Sequence, residues 1–192
     1  IEVQSTSTAS IKSMGGSYSN LDLIYGLTID KRNQVFQPTD GYRATLTQSI
    51  PIVLDRSSFL NGVDFSSYHS FSDENIVGSM KLWGRSIHGI NDEDVRLTNR
   101  LFLPSKKLRG FQFRKVGPKD GNDYVGGNYA TALNFEAALP NLLPESTKTD
   151  ISVFLDTANL WHVDYSDTLE DASKIRSSLG IAANVYSTIG PL

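Results

Sequence analysis

The sequence contains no cysteine, which excludes a disulfide framework and any metal centre built on thiolates. It has no apolar run of about 18 residues, so no stretch reads as a membrane-spanning helix. It has no excess of positive charge: 18 Lys and Arg stand against 21 Asp and Glu, a net charge of -3, which argues against a nucleic-acid binder with its basic stripe. The opening residues Ile1-Glu2-Val3-Gln4 lack the charged and apolar regions of a signal peptide. The closing Ile189-Gly190-Pro191-Leu192 stops where another strand could begin, so the chain reads as an internal fragment. Helical spacing of apolar residues is sustained nowhere.

What is present has a period of two. In Ile151-Ser152-Val153-Phe154-Leu155-Asp156, the residues Ile151, Val153 and Leu155 share one face, and Ser152, Phe154 and Asp156 the other. From Tyr129 to Leu139, an apolar face of Tyr129, Leu133, Phe135, Ala137 and Leu139, with Thr131 among them, opposes Ala130, Ala132, Asn134, Glu136 and Ala138. Further on, Leu179, Ile181, Ala183 and Val185 oppose Arg176, Ser178, Gly180, Ala182 and Asn184. The expected strands cover residues 22–32, 43–50, 62–72, 76–85, 128–139, 150–161 and 175–187, with a long loop over 86–127. The fold class is all-β.

An average composition does not exclude a membrane, because transmembrane β-barrels hide their apolar surface in alternate positions. The clearest strands run about ten residues, the length a tilted strand needs to cross hydrocarbon. Their second faces mix small and polar residues, which suits a wet lumen better than the lysine- and glutamate-rich exterior of a soluble sandwich. Connections alternate as well. The segment 33–41, with its Pro38-Thr39-Asp40-Gly41 turn chemistry, and Asp73-Glu74-Asn75 are short, whereas 86–127 and 162–174 are long and polar. A partial transmembrane antiparallel β-barrel is the favoured reading, with a soluble β-sandwich as its rival. Trp83, Trp161, Tyr129 and Phe71 fit either the aromatic girdles of the first or the core of the second.

Within the long loop, Leu108-Arg109-Gly110-Phe111 poses an energetic problem. Exposed, Leu108, Phe111 and Phe113 would lose hydrophobic free energy; buried, Arg109 would need a carboxylate. Two acids lie on the polar faces of the strands that follow, Glu136 and Asp156, and a guanidinium forks carboxylate oxygens well. Arg109 is therefore expected either to reach inward to Glu136, Asp156 or both, or to stay a solvated loop residue opposite acids that face water. Other constellations carry less. The run Asn91-Asp92-Glu93-Asp94 lacks the spacing of a calcium loop and reads as solvated. His69, His88 and His162 lie far apart without metal-type spacing, and no metal site is expected. His69 falls on the apolar side of its strand, which suggests a rim or bulge. No Gly-x-Ser-x-Gly elbow occurs, and Gly126-Gly127 marks re-entry into a strand and is no phosphate cradle, since no helix follows.

Several of these elements occur together in one order. Leu108-Arg109-Gly110-Phe111, Val116-Gly117-Pro118-Lys119 and Gly126-Gly127-Asn128 are followed by Asn134-Phe135-Glu136 and by Phe154 to Trp161. Then come Ile175 to Ile181 and Gly190-Pro191-Leu192, with Tyr25-Gly26-Leu27 and Phe36 to Gly41 upstream. In this the chain, from about Tyr25 onward, resembles the BamA family of bacterial outer-membrane barrel-assembly proteins. The resemblance implies about seven strands of a sixteen-stranded barrel, preceded by periplasmic POTRA domains, in the bacterial outer membrane. It implies that Arg109 lies inside the barrel against Glu136 and Asp156, as a brace and not as a catalytic residue. The implied work is folding and inserting other barrels at a seam that offers unpaired backbone groups to an incoming strand. No enzymatic step and no cofactor are implied. The implied partners are unfolded outer-membrane proteins, outer-membrane lipids and periplasmic accessory lipoproteins. A TamA-like or two-partner secretion translocator and a passive porin-like channel are the alternatives. Leu108 stands in place of the family's usual valine or isoleucine, and Ala158 where it commonly has glycine. Neither seam strand is expected within these residues, so the fragment is not expected to insert proteins by itself.

Overall fold

The structure, a computed structural model, describes residues 12, 19, 21–53, 58–71, 76–91, 93–140, 142–171, 173–187 and 190–191. Its long strands are β1 (Leu21–Asp30), β2 (Gly41–Val53), β3 (Ser58–Phe71), β4 (Ile76–Gly89), β7 (Tyr129–Leu139), β8 (Thr149–Trp161) and β9 (Arg176–Ser187). The long loop carries a minimal hairpin of β5 (Lys119–Asp120) and β6 (Asp123–Tyr124), and β10 (Gly190–Pro191) pairs with β9. The sheet order is β1-β2-β3-β4-β7-β8-β9-β10, with every pair antiparallel. No helix among the described residues is long and apolar enough to cross a membrane. The sheet is a stretch of barrel wall and does not close on itself.

The strand faces follow the period-two reading. Val153, Leu155, Phe135, Leu179 and Ile181 are exposed on one face, the last two at 75%. Ala130, Ala132, Asn134, Ser152, Asp156 and Ala158 are buried on the other. An apolar outer face this large is stable only against lipid or another protein.

Three expectations shift. The ends of β2, β3 and β4 extend well beyond 43–50, 62–72 and 76–85, because the register continues through Ser49↔Leu60 and Ser58↔Gly89. Pro51 lies within β2, one residue past the expected end at 50. It is tolerated because β2 has there stopped pairing with β3 and faces only β1, through Asp22↔Pro51. In contrast β1 ends at Asp30 rather than at residue 32, where Arg32 turns back to bond Asp30 through Nε at 2.9 Å. Ser72 and the Asp73-Glu74-Asn75 turn lie outside the described residues.

The aromatic residues split. Trp83 is buried on the inner face and belongs to no girdle. Tyr129 and Trp161 stack on the outside with centroids 5.5 Å apart. Through the register they share a row with Ser86, Asn61, Gln48 and Tyr25. In that row the Tyr25 hydroxyl donates to Gln48, and Gln48 Nε2 donates to Asn61 Oδ1 at 2.6 Å. Amphipathic side chains bonded to one another near the end that carries the long loop suit a membrane interface. Phe71 is exposed at the opposite end of the wall, where His69 meets it edge-on.

The inner face is drier beneath the loop than a water-filled pore would be. Trp83, Ala130, Ala132, Ala158 and Leu160 form an apolar seat on which Leu103, Leu108 and Val116 of the loop are packed. The small residues of this wall face the loop rather than water: alanines leave the volume that leucine and valine side chains fill.

Candidate functional site

The loop after β4 turns inward and is tied to the wall at several points. Leu101 bridges Gly127, and a tight turn follows in which Lys107 N donates to Pro104 O at 2.8 Å. Leu108, 2% exposed, then plugs into the alanine seat. That burial contributes about 2 kcal/mol and fixes where the next residue must sit.

The next residue is Arg109. Its Nε and backbone N donate to Asp156 Oδ2 at 2.8 and 3.0 Å, and its Nη2 donates to Asp156 Oδ1 at 2.8 Å. Its Nη1 donates to Glu136 Oε2 at 3.1 Å. Asn134 Nδ2 completes the shell of Asp156, donating to Oδ1 at 2.8 Å, and also donates to the carbonyl of Lys107 at 2.9 Å. The Asp156 side chain is 0% exposed and accepts four hydrogen bonds, which is how a buried carboxylate remains charged without a large desolvation cost. The hydrogen bonding of the guanidinium to Asp156, more than any other contact, holds its pKa above the ordinary value, against the opposing effect of burial. Of the two expected arrangements the structure has the paired one, with both acids engaged.

Two participants escaped the sequence reading. The Arg109 guanidinium lies over the Phe154 ring, 3.6 Å from its centroid, a cation–π contact beside the fork. An aromatic residue alternating with Ser152 and Asp156 on a polar face was the available signal. Gly180 faces Phe154 across the β8–β9 pair, and a Cβ there would fall 2.6 Å from Phe154 Cζ. Gly180→Ala is therefore expected to displace the ring from under Arg109. The cost is about 1–3 kcal/mol by the cost of overpacking, measurable as a lowered denaturation midpoint of the folded barrel. An unchanged midpoint would mean that the ring is free to move.

A second anchor holds the end of the loop. Asn128, 1% exposed, donates through Nδ2 to Asp164 Oδ1 at 2.6 Å, while Val95 N donates to Asp164 Oδ2 at 2.8 Å. Asp164 thereby joins the start and end of the long loop to the connection that follows β8. Tyr165 adds a hydrogen bond to Asp120 at 3.1 Å, and Lys119 pairs with Glu170 in a bridge.

The remaining sequence candidates sit apart from the brace. Phe111 is half-buried against the alanine seat, whereas Phe113 is exposed and lies 5.7 Å from the Arg114 guanidinium. Gly110 takes a left-handed φ of 84° beside Ser178. His88 and His162 come together on either side of Tyr129, at 5.3 and 5.5 Å, although nothing in their spacing suggested it. His69 lies at the other end of the wall, 3.4 Å from Asp40. No group of three metal-ligating side chains occurs among the described residues.

Comparisons with known proteins agree with this geometry. Residues 2–192 match the model of the Omp85 superfamily domain. The chain is 27% identical over its whole length to the outer membrane protein assembly factor BamA of Neorickettsia risticii, of which it covers 26%. Over 68% of its length it is 29% identical to a SAM50-like protein of Schizosaccharomyces pombe, of which the alignment covers 29%. The chain thus spans about a quarter of the length of the curated relatives it matches. In fold it is similar to the crystal structure of BamA from Haemophilus ducreyi lacking POTRA domains 1–3. The TM-score there is 0.79 at 23% identity, over 94% of this chain and 41% of that one. An antiparallel wall with an apolar outer face and an inward-braced loop, matched along nearly its whole length by one family model, is a stretch of outer-membrane β-barrel, and the chain belongs to the Omp85 superfamily.

Proposed function

We propose that this wall and its braced loop are part of a factor that folds β-barrel proteins and inserts them into the bacterial outer membrane. The observation that carries the reading is the brace: a loop whose Leu108 is buried against the wall and whose Arg109 is held by two acids lies across the inner face and narrows the space it bounds. A passive porin-like channel needs an open lumen, so the same brace weighs against that alternative. A loop fastened to β7 and β8 gives the wall a rigid region against which a more weakly paired seam elsewhere in the barrel can open. Client strands would then be templated by backbone hydrogen bonding at that seam. In this reading no covalent step occurs and no cofactor takes part. The partners are unfolded outer-membrane proteins, outer-membrane lipids and periplasmic accessory lipoproteins.

The test uses the full-length protein reconstituted in lipid vesicles. A urea-unfolded outer-membrane barrel is added, and its folding is followed by heat-modifiable electrophoretic mobility. Vesicles containing the protein are expected to fold the client at least several-fold faster than empty vesicles. Equal rates, combined with steady ion conductance, would replace this reading with that of a channel. A TamA-like or two-partner secretion translocator would instead move the client across the membrane into the vesicle, where it is protected from protease added outside.

A further inference from the structure

The connection between β1 and β2, residues 31–40, has more internal structure than two antiparallel strands need, since two residues suffice for a hairpin. Asn33 closes it: its Oδ1 accepts from the backbone N of Thr39 and Asp40 at 3.1 and 3.2 Å, and its Nδ2 donates to Thr39 Oγ1 at 2.7 Å. Arg32 Nη1 donates to the Val35 carbonyl at 3.2 Å, and Gln34 Nε2 to the Gln37 carbonyl at 2.6 Å. Gly41 leaves the connection at φ 92°, where a Cβ would fall 2.2 Å from the Lys31 carbonyl oxygen. Gln37 itself has φ 46°, uncommon for a residue with a Cβ and held only where the surroundings require it.

This self-bonded segment turns across the sheet. Gln37 Nε2 donates to Asp150 Oδ2 at 3.3 Å. Asp150 belongs to β8, which is four strand positions from β2 in the order β2-β3-β4-β7-β8. At about 4.8 Å per strand that separation is roughly 19 Å along the sheet, so the contact requires the segment to span the inner face. Between segment and wall lies a cavity of about 520 Å³, lined by Phe36, Tyr68, Val77, Lys81, Glu136 and Asn184 among others. Glu136 is also the carboxylate that Arg109 holds from the long-loop side. The lumen in front of β7 and β8 is thus bounded twice, by the loop at one end and by this segment at the other.

We propose that residues 31–40 form a strap that closes the lumen on the side opposite the long loop, latched to the wall by Gln37 on Asp150. The apolar tip fits that role. Val35 is 80% exposed and Phe36 half exposed, so the segment presents apolar surface to the space it borders, which ions enter less readily than polar surface. The latch and the brace grip the same strand, at Asp150 and Asp156, on its inward face.

The test is single-channel conductance of the full-length protein in planar bilayers, read without any client, so its outcome is independent of the folding assay. Gln37→Glu sets a carboxylate against Asp150 and is expected to raise conductance several-fold, whereas Gln37→Lys keeps the closed level. The strap's internal bonds use only the backbone carbonyl of Gln37, so both variants keep its fold; heat-modifiable mobility checks the barrel. In a background without other cysteines, Gln37→Cys with Asp150→Cys is expected to be captured by a short bifunctional thiol reagent in most of the folded protein. Equal conductance of the Glu and Lys variants, or no capture, overturns the latch. Unchanged conductance after replacing residues 34–39 by a glycine-serine linker overturns the closure.

Discussion

Arg109→Ala in the full-length barrel is expected to destabilise it by about 3–5 kcal/mol, the usual cost of leaving one partner of a buried ion pair alone. The orphan is Asp156, 0% exposed, which would keep a hydrogen bond from the Asn134 amide but lose both side-chain bonds of the fork. Arg109→Lys should recover less than half of the loss, because an ammonium cannot supply the two-pronged geometry that meets both Asp156 oxygens while a third nitrogen reaches Glu136. Denaturant midpoints in lipid vesicles measure both. A double-mutant cycle separates the acids: coupling to Asp156 should exceed coupling to Glu136, which accepts one Arg109 bond and is 16% exposed. If Arg109→Ala shifts the midpoint no more than a surface lysine-to-alanine change, the brace does not hold the fold. A charge swap of Arg109→Glu with Glu136→Arg or Asp156→Arg probes the pairing separately, and rescue by neither would count against direct contact.

Leu155→Arg is the second large effect. Leu155 is exposed on the outer face and pairs with Phe135 and Leu179, both exposed and apolar. An arginine facing lipid near the middle of a strand costs about 2–4 kcal/mol in transmembrane barrels. Asn184→Lys, on the inner face beside Glu136 at 3.5 Å and lining the same cavity as Asp150, is expected to change stability by about 1 kcal/mol or less. A soluble sandwich would bury this same apolar face between two sheets, so Leu155→Arg would be costly there as well. Solubility distinguishes the architectures: a sandwich stays monodisperse without detergent, whereas a wall with this exposed apolar face does not.

Much of this was legible in the residue order. The alternation in β7, β8 and β9 assigned Val153, Leu155, Leu179 and Ile181 to one face and Asn134, Glu136, Ser152 and Asp156 to the other, because a strand has a strict period of two. A loop arginine between large apolar residues, followed by two acids on polar faces, limited its candidate partners to Glu136 and Asp156. Strand ends were less legible. Pro51 and the polar run after Arg85 look like boundaries locally, yet β2 and β4 continue, because pairing with β1 and β3 outweighs weak local preference.

The sequence by itself determined the all-β class, the two faces of the wall and the charges available to the inward loop, since these depend on alternation and composition within one strand or motif. Only the tertiary structure decided which face Trp83 occupies and that Ala130, Ala132 and Ala158 make a seat for Leu108. The same holds for Phe154 beneath Arg109 and for Gln37, which meets Asp150 from 113 positions away. Those contacts depend on sheet order and on where two connections fold back. No local pattern encodes a distance across four strands, so they exist only once the wall has been assembled.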